Sequence, residues 1–126
     1  MIYNENEKEY QVKFYQNSQS SKSAVFDYVE NLDLKAKAKV LKYIEFLRQH
    51  QGYLDEPYSR HIKGKIRELR VDFGRQRHRI FYVMFIKKTI ILLYAFLKKT
   101  DKTPIAEIKK AENNYFDAIN NQKLYE

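Results

Sequence analysis

The spacing of hydrophobic and polar positions changes twice along the chain. Over Gln11–Gln16 a weak alternation places Val12 and Phe14 on one face and predicts a short strand. The polar run Asn17–Ser23 reads as a loop ending in a helix cap at Ser23. Val25, Val29 and Leu32 then recur at helical spacing, so a helix is expected over Ser23–Leu32. Asp33 can cap a second helix, whose apolar stripe is read as Leu34, Ala38, Leu41, Ile44 and Leu47. Lys35, Lys37, Lys39 and Lys42 point away from that stripe. Gly52 and Pro57 bracket its end, and the minimal linker makes the pair an αα-hairpin.

Beyond Pro57 the period falls to two. Within Arg67–Phe73, Leu69, Val71 and Phe73 share one face and Glu68, Arg70 and Asp72 the other. Gly74 marks a turn, and Arg77–Ile86 forms the next strand. Lys87-Lys88-Thr89 is a polar turn, and Ile90–Leu97 is apolar throughout, as a central strand buried on both faces would be. Thr103-Pro104 offers a cap and an N1 proline for a last helix, with Ile105, Ile108, Ala111, Tyr115 and Ile119 as its stripe. The expected fold is α+β, a small, mostly antiparallel sheet with helices packed on one side, in the order β-α-α-β-β-β-α. One domain is expected over 1–126, with residues 1–10 as a flexible extension.

Composition narrows the chemistry. A chain of 126 residues, 44% hydrophobic, is too apolar for a disordered polymer. The absence of cysteine excludes disulfides, Cys-ligated zinc and a Cys nucleophile. The polar start MIYNENEKEY carries no secretory signal and no apolar run is long enough to span a bilayer, so a cytoplasmic protein off the membrane is expected. The net charge of +8 is uneven: Arg60–Lys102 carries 13 basic and three acidic residues, the remainder 11 and 13. Such a concentration points to a polyanion, and arginine suits forked phosphate contacts better than lysine does. The three glycines are too dispersed for a phosphate loop, and no serine occupies a nucleophile elbow. His50, His61 and His78 lack metal-pair spacing, so neither metal nor cofactor is expected. What remains is a β-meander bearing Arg, Lys, His and Tyr, a surface able to hold RNA by its phosphates and bases.

Three ordered motifs carry a resemblance: Glu68-Leu69-Arg70, Arg79-Ile80-Phe81-Tyr82, and Phe96-Leu97-Lys98-Lys99-Thr100 followed by Thr103-Pro104. Over about Leu34–Tyr115 the chain resembles the RelE/HigB-type toxins of type II toxin-antitoxin systems, in the phage Gp49-like branch. The resemblance implies a metal-free mRNA interferase that cleaves mRNA in the ribosomal A site by 2′-hydroxyl attack on the adjacent phosphate. It also implies a helix-turn-helix antitoxin and a hetero-oligomer formed with it.

Such cleavage needs a base for the 2′-hydroxyl, charge stabilisation at the phosphorane, and a proton or cation at the leaving oxygen. Arg79 matches the superfamily's active-site arginine and is assigned to the scissile phosphate; Arg79→Ala is expected to abolish activity with the fold intact. Of Lys98 and Lys99, alternation lets only one face the groove, and Lys99 is chosen. Glu68 is a candidate base, with Arg70 binding phosphate or holding Glu68; a cross-strand ion pair explains them equally well. His61 is the better acid/base candidate of the two histidines in the basic segment. Arg77, Lys98, His78 and Arg67 are expected to contact RNA or the ribosome. The tyrosines, Tyr82 included, suit packing better than base stacking. A non-catalytic basic binding module and a degenerate toxin remain as alternatives.

Overall fold

The structure, a computed structural model, describes residues 9–126, so most of the expected extension over 1–10 lies outside the described residues. Strand β1 (Gln11–Phe14) leads through a polar loop to α1 (Ala24–Glu30) and α2 (Leu34–Gln49). Strands β2 (Ser59–Lys63), β3 (Ile66–Phe73), β4 (Gln76–Met84) and β5 (Thr89–Leu97) follow, then α3 (Ile105–Ile119) and a short 3-10 turn at Gln122–Tyr125. The sheet order is β1-β5-β4-β3-β2, with β1 parallel to β5 and all other pairs antiparallel. No helix among the described residues is long and apolar enough to cross a membrane.

The α+β class and the three-strand meander are as expected, with two differences. Ser59–Lys63 is a fifth strand, pairing its own edge with β3, although SRHIK has no apolar alternation to announce it. Helices also cover both faces rather than one. Val25, Val29, Val40, Ile44 and Leu47 of α1 and α2 pack on Leu69, Val71, Ile80, Tyr82, Ile90 and Leu92. On the other face Ala111 and Ala118 of α3 meet Ile66, Phe81, Val83, Ile91 and Leu93. This division explains why β4 and β5 are apolar on both faces.

Helix α2 starts where Asp33 accepts from the Ala36 amide at 2.9 Å, and α1 where Ser23 accepts from Phe26. The buried stripe of α2 is Ala36, Val40, Ile44 and Leu47, so only the last two of the five expected residues face the sheet. Leu34 is 85% exposed, Leu41 43%, and Ala38 also faces out. Small Ala36 and Val40 let the helix approach the sheet closely, and that contact sets the phase. The α2 end turns at Gly52, whose φ of +82° favours glycine and whose amide reaches back to the Leu47 carbonyl at 2.8 Å.

One irregularity in β5 controls the site. Phe81 pairs with Tyr94 but Tyr82 pairs with Leu92, leaving one extra residue in β5. Leu93 and Tyr94 therefore both turn toward α3, and the alternation beyond them is inverted. Asn114 of α3 donates to the Leu93 carbonyl at 2.8 Å, which satisfies the bulged backbone.

Candidate functional site

Glu68, Arg70 and Asp72 project from β3 onto the sheet face that carries α3, as their period predicts. The β3–β4 register sets Arg70 directly opposite Arg79 and Asp72 opposite Arg77. Two arginines opposed in this way repel unless an anion lies between them. Glu68 supplies it: its Oε1 is 3.9 Å from Arg70 Nε and 4.0 Å from Arg79 Nε. These are ion-pair distances rather than hydrogen bonds. Glu68 is fully buried and Arg79 is 1% exposed, so this charge pairing sits in the protein rather than in water. The other carboxylate oxygen accepts from the Thr103 hydroxyl at 3.2 Å. Thr103, expected to cap α3, thus holds Glu68 instead, and the α3 N-terminus has no side-chain cap bond.

Arg79 is held on its far side as well. Its Nη1 donates to Asp72 Oδ1 at 2.7 Å and to the His78 carbonyl at 3.0 Å. Its Nε–H, like Arg70 Nε–H and Glu68 Oε1, is buried without a hydrogen-bond partner. Two guanidinium donors and a carboxylate oxygen are therefore uncommitted within a few ångströms of each other.

Lys98 completes the group, and here the expectation for the lysine pair is reversed. The β5 bulge turns Lys98, at 6% exposure, to the cluster face and leaves Lys99 exposed. The Lys98 amide bonds to the Arg77 carbonyl at 2.8 Å, which extends the β4–β5 ladder. Burial pushes its ammonium below the ordinary lysine range; Glu68 opposes this, and Arg79, Arg70 and Arg77 reinforce it. Arg77 is half-buried on the same face, at the open end of the cluster.

Three other candidates lie elsewhere. His61 is exposed on the edge strand, opposite Arg67 and so on the α2 face, with Nε2 against the Gly64 carbonyl at 2.8 Å. Arg67 lies over the Tyr53 ring at 5.1 Å and reaches Ser59 and Tyr82 on that same far face. His78 is 1% exposed on the α1 side, its Nδ1 2.7 Å from the Tyr28 hydroxyl. Burial, with help from Arg79, lowers the His78 pKa and keeps it neutral. None of the three shares the face of Arg79. Tyr82 is fully buried and donates to the Gly52 carbonyl at 3.1 Å, a packing role as expected.

Asp72 and Thr103 were not among the expected site residues. Asp72 shares the period-two face of Glu68 and Arg70, and that shared face was the available signal. Nothing local singles out Thr103, since Thr before Pro reads as a cap. Among the described residues, no group of three or more His, Asp or Glu side chains could hold a metal ion.

A mixed sheet with helices on both faces, and two arginines paired with one buried carboxylate beside a buried lysine, define a small basic α+β protein. The profile of the phage-derived protein Gp49-like family (DUF891) matches residues 27–116, from α1 through most of α3. The chain belongs to that family, which is a RelE/HigB-like toxin family, and every cluster residue falls within the match. Toxin family membership implies an antitoxin partner in general. No curated protein matches the chain.

Proposed function

We propose that the chain is the toxin of a type II pair, an endoribonuclease that cuts mRNA in the ribosomal A site and so arrests translation in the cytoplasm. The observation that carries this reading is the pairing of Arg70 and Arg79 with the buried Glu68, their Nε donors uncommitted, with Lys98 buried nearby within the reach of the Glu68 charge. In this reaction the 2′-oxygen bonds to phosphorus and the P–O5′ bond breaks, which leaves a 2′,3′-cyclic phosphate and a 5′-hydroxyl. Lys98, its ammonium destabilised by burial, takes the 2′-hydroxyl proton. Arg79 and Arg70 receive the growing charge on the phosphorane, and the bridging Glu68, fixed by Thr103, sets their spacing. Asp72, whose side chain is 62% exposed, yields its place on Arg79 to the phosphate. Arg77, half-buried at the open edge, meets the RNA backbone, and the departing 5′-oxygen takes its proton from solvent water there. Fixed cations supply this stabilisation, so the scheme calls on no metal or cofactor.

A second reading, binding without cleavage, is favoured by the 1% exposure of Arg79 and its tie to Asp72. Inducing the chain without its antitoxin separates the two. Growth arrest with new 5′ ends in translated mRNA supports the nuclease; arrest over intact mRNA supports the binding module.

A further inference from the structure

Helix α2 carries two apolar stripes, and the fold uses only one. Leu34, Ala38 and Leu41, spaced i, i+4, i+7, form a second stripe on its outer face, and the two leucines are 85% and 43% exposed. Leucines aligned on one helix face form an apolar strip through which a partner helix can dock. The charges around them share one sign. Within Leu34–Gln49 there are five cations, Lys35, Lys37, Lys39, Lys42 and Arg48, and one acid, Glu45. Glu45 is already tied to Arg48 at 2.7 Å. Lys37 pairs with Glu30, and Lys39 donates to the Asp72 carbonyl. Among the described residues, Lys35 and Lys42 have no carboxylate partner, and they flank the leucine stripe.

We propose that the outer face of α2 docks an acidic amphipathic helix of the antitoxin, with leucines packed at the centre and carboxylates on Lys35 and Lys42. This rests on the antitoxin partner that the family implies. Aliphatic side chains decide between protein and RNA, because nucleic acid uses cations and stacked rings and gains little from exposed leucines. The docking face lies across the sheet from Glu68, Arg70, Arg79 and Lys98, since α2 packs on the face opposite that cluster. The antitoxin helix therefore grips the toxin remotely and leaves the cluster uncovered by that contact.

The test titrates the full chain with the product of the adjoining reading frame, comparing wild type, Leu34→Glu/Leu41→Glu and Lys35→Glu/Lys42→Glu. Both double variants should keep the wild-type fold by circular dichroism, because the altered side chains lie outside the core. The leucine variant should bind at least ~100-fold more weakly, on the scale of two central anchors lost. The lysine variant should bind about tenfold more weakly, with a shallower salt dependence. Affinity within about twofold of wild type for the leucine variant overturns the proposal. So does failure of the wild type to bind, self-association of the wild type through this face, or an equal loss of RNA binding by the leucine variant. Cleavage of translated mRNA, measured on the same variants, should be unaltered. Its absence from wild type and variants alike would count against the nuclease reading and leave the docking result standing.

Discussion

Replacing Arg79 with Met removes a charge that is 1% exposed while leaving Glu68 fully buried. Breaking a buried ion pair from one side costs about 3–5 kcal/mol, because the remaining charge loses its compensation. Two features place this case near the lower end. Arg70 still lies 3.9 Å from Glu68, and the Thr103 hydroxyl still donates to it. The Asp72 contact adds under about 1 kcal/mol, since that carboxylate is mostly in water. A loss of ~3 kcal/mol with a urea m-value of ~2 kcal/mol/M moves the unfolding midpoint down by ~1.5 M. The Arg79→Ala test suggested by the sequence is therefore not neutral to the fold, and lost toxicity in it would not isolate a catalytic role. Adding Glu68→Gln resolves this, because Gln keeps the Thr103 bond without a buried charge. The double variant should recover most of the midpoint, with a coupling of ~2 kcal/mol from the four-way cycle. A midpoint for Arg79→Met within ~0.3 M of wild type, or simple additivity in the double variant, would refute the buried-pair argument.

Four further variants test the same geometry. Wild-type cleavage should rise with pH toward the depressed Lys98 pKa; Lys98→Arg, permanently charged, should lose that rise and about 100-fold in rate, read as single-turnover cleavage. His78 has a folded pKa below 6.5, so the unfolded chain takes up the proton first as pH falls. Stability should therefore be full above pH 6.5 and decline below it by at most ~1.4 kcal/mol per pH unit. His78→Phe should flatten that decline in urea melts, and parallel curves would count against it. Gly52→Ala places a methyl 1.9 Å from Met84 Sδ at φ +82° and should cost about 1–3 kcal/mol. Gly64→Ala, at φ +56° in open space, should cost ~1 kcal/mol, both glycine variants being read in urea melts.

Much of the architecture was legible because the sheet is built on simple periods. Leu69 and Val71 alternate against Glu68 and Arg70, and the structure keeps that division. The misses have local physical causes. Leu34 and Leu41 look like core residues, but α2 approaches the sheet through Ala36 and Val40, and their small size is invisible to a count of large apolar positions. Alternation assigned Lys99 to the cluster because it assumed an unbroken β5. One extra residue at Leu93–Tyr94 reverses every side chain beyond it and delivers Lys98 instead. His61 and Arg67 lie in the basic segment by sequence, yet strand parity places them on the α2 face, away from Arg79. Charge summed along the chain located the cluster but hid α2, whose excess of cations is offset by acids elsewhere.

The most direct test is to add purified chain to ribosomes translating a defined mRNA and identify both ends left at any break. The proposed reaction yields cuts at A-site codons with 2′,3′-cyclic phosphate and 5′-hydroxyl ends, formed in the presence of chelator and slowed in Lys98→Arg. Intact mRNA on translating ribosomes, or breaks carrying 5′-phosphates, would contradict it.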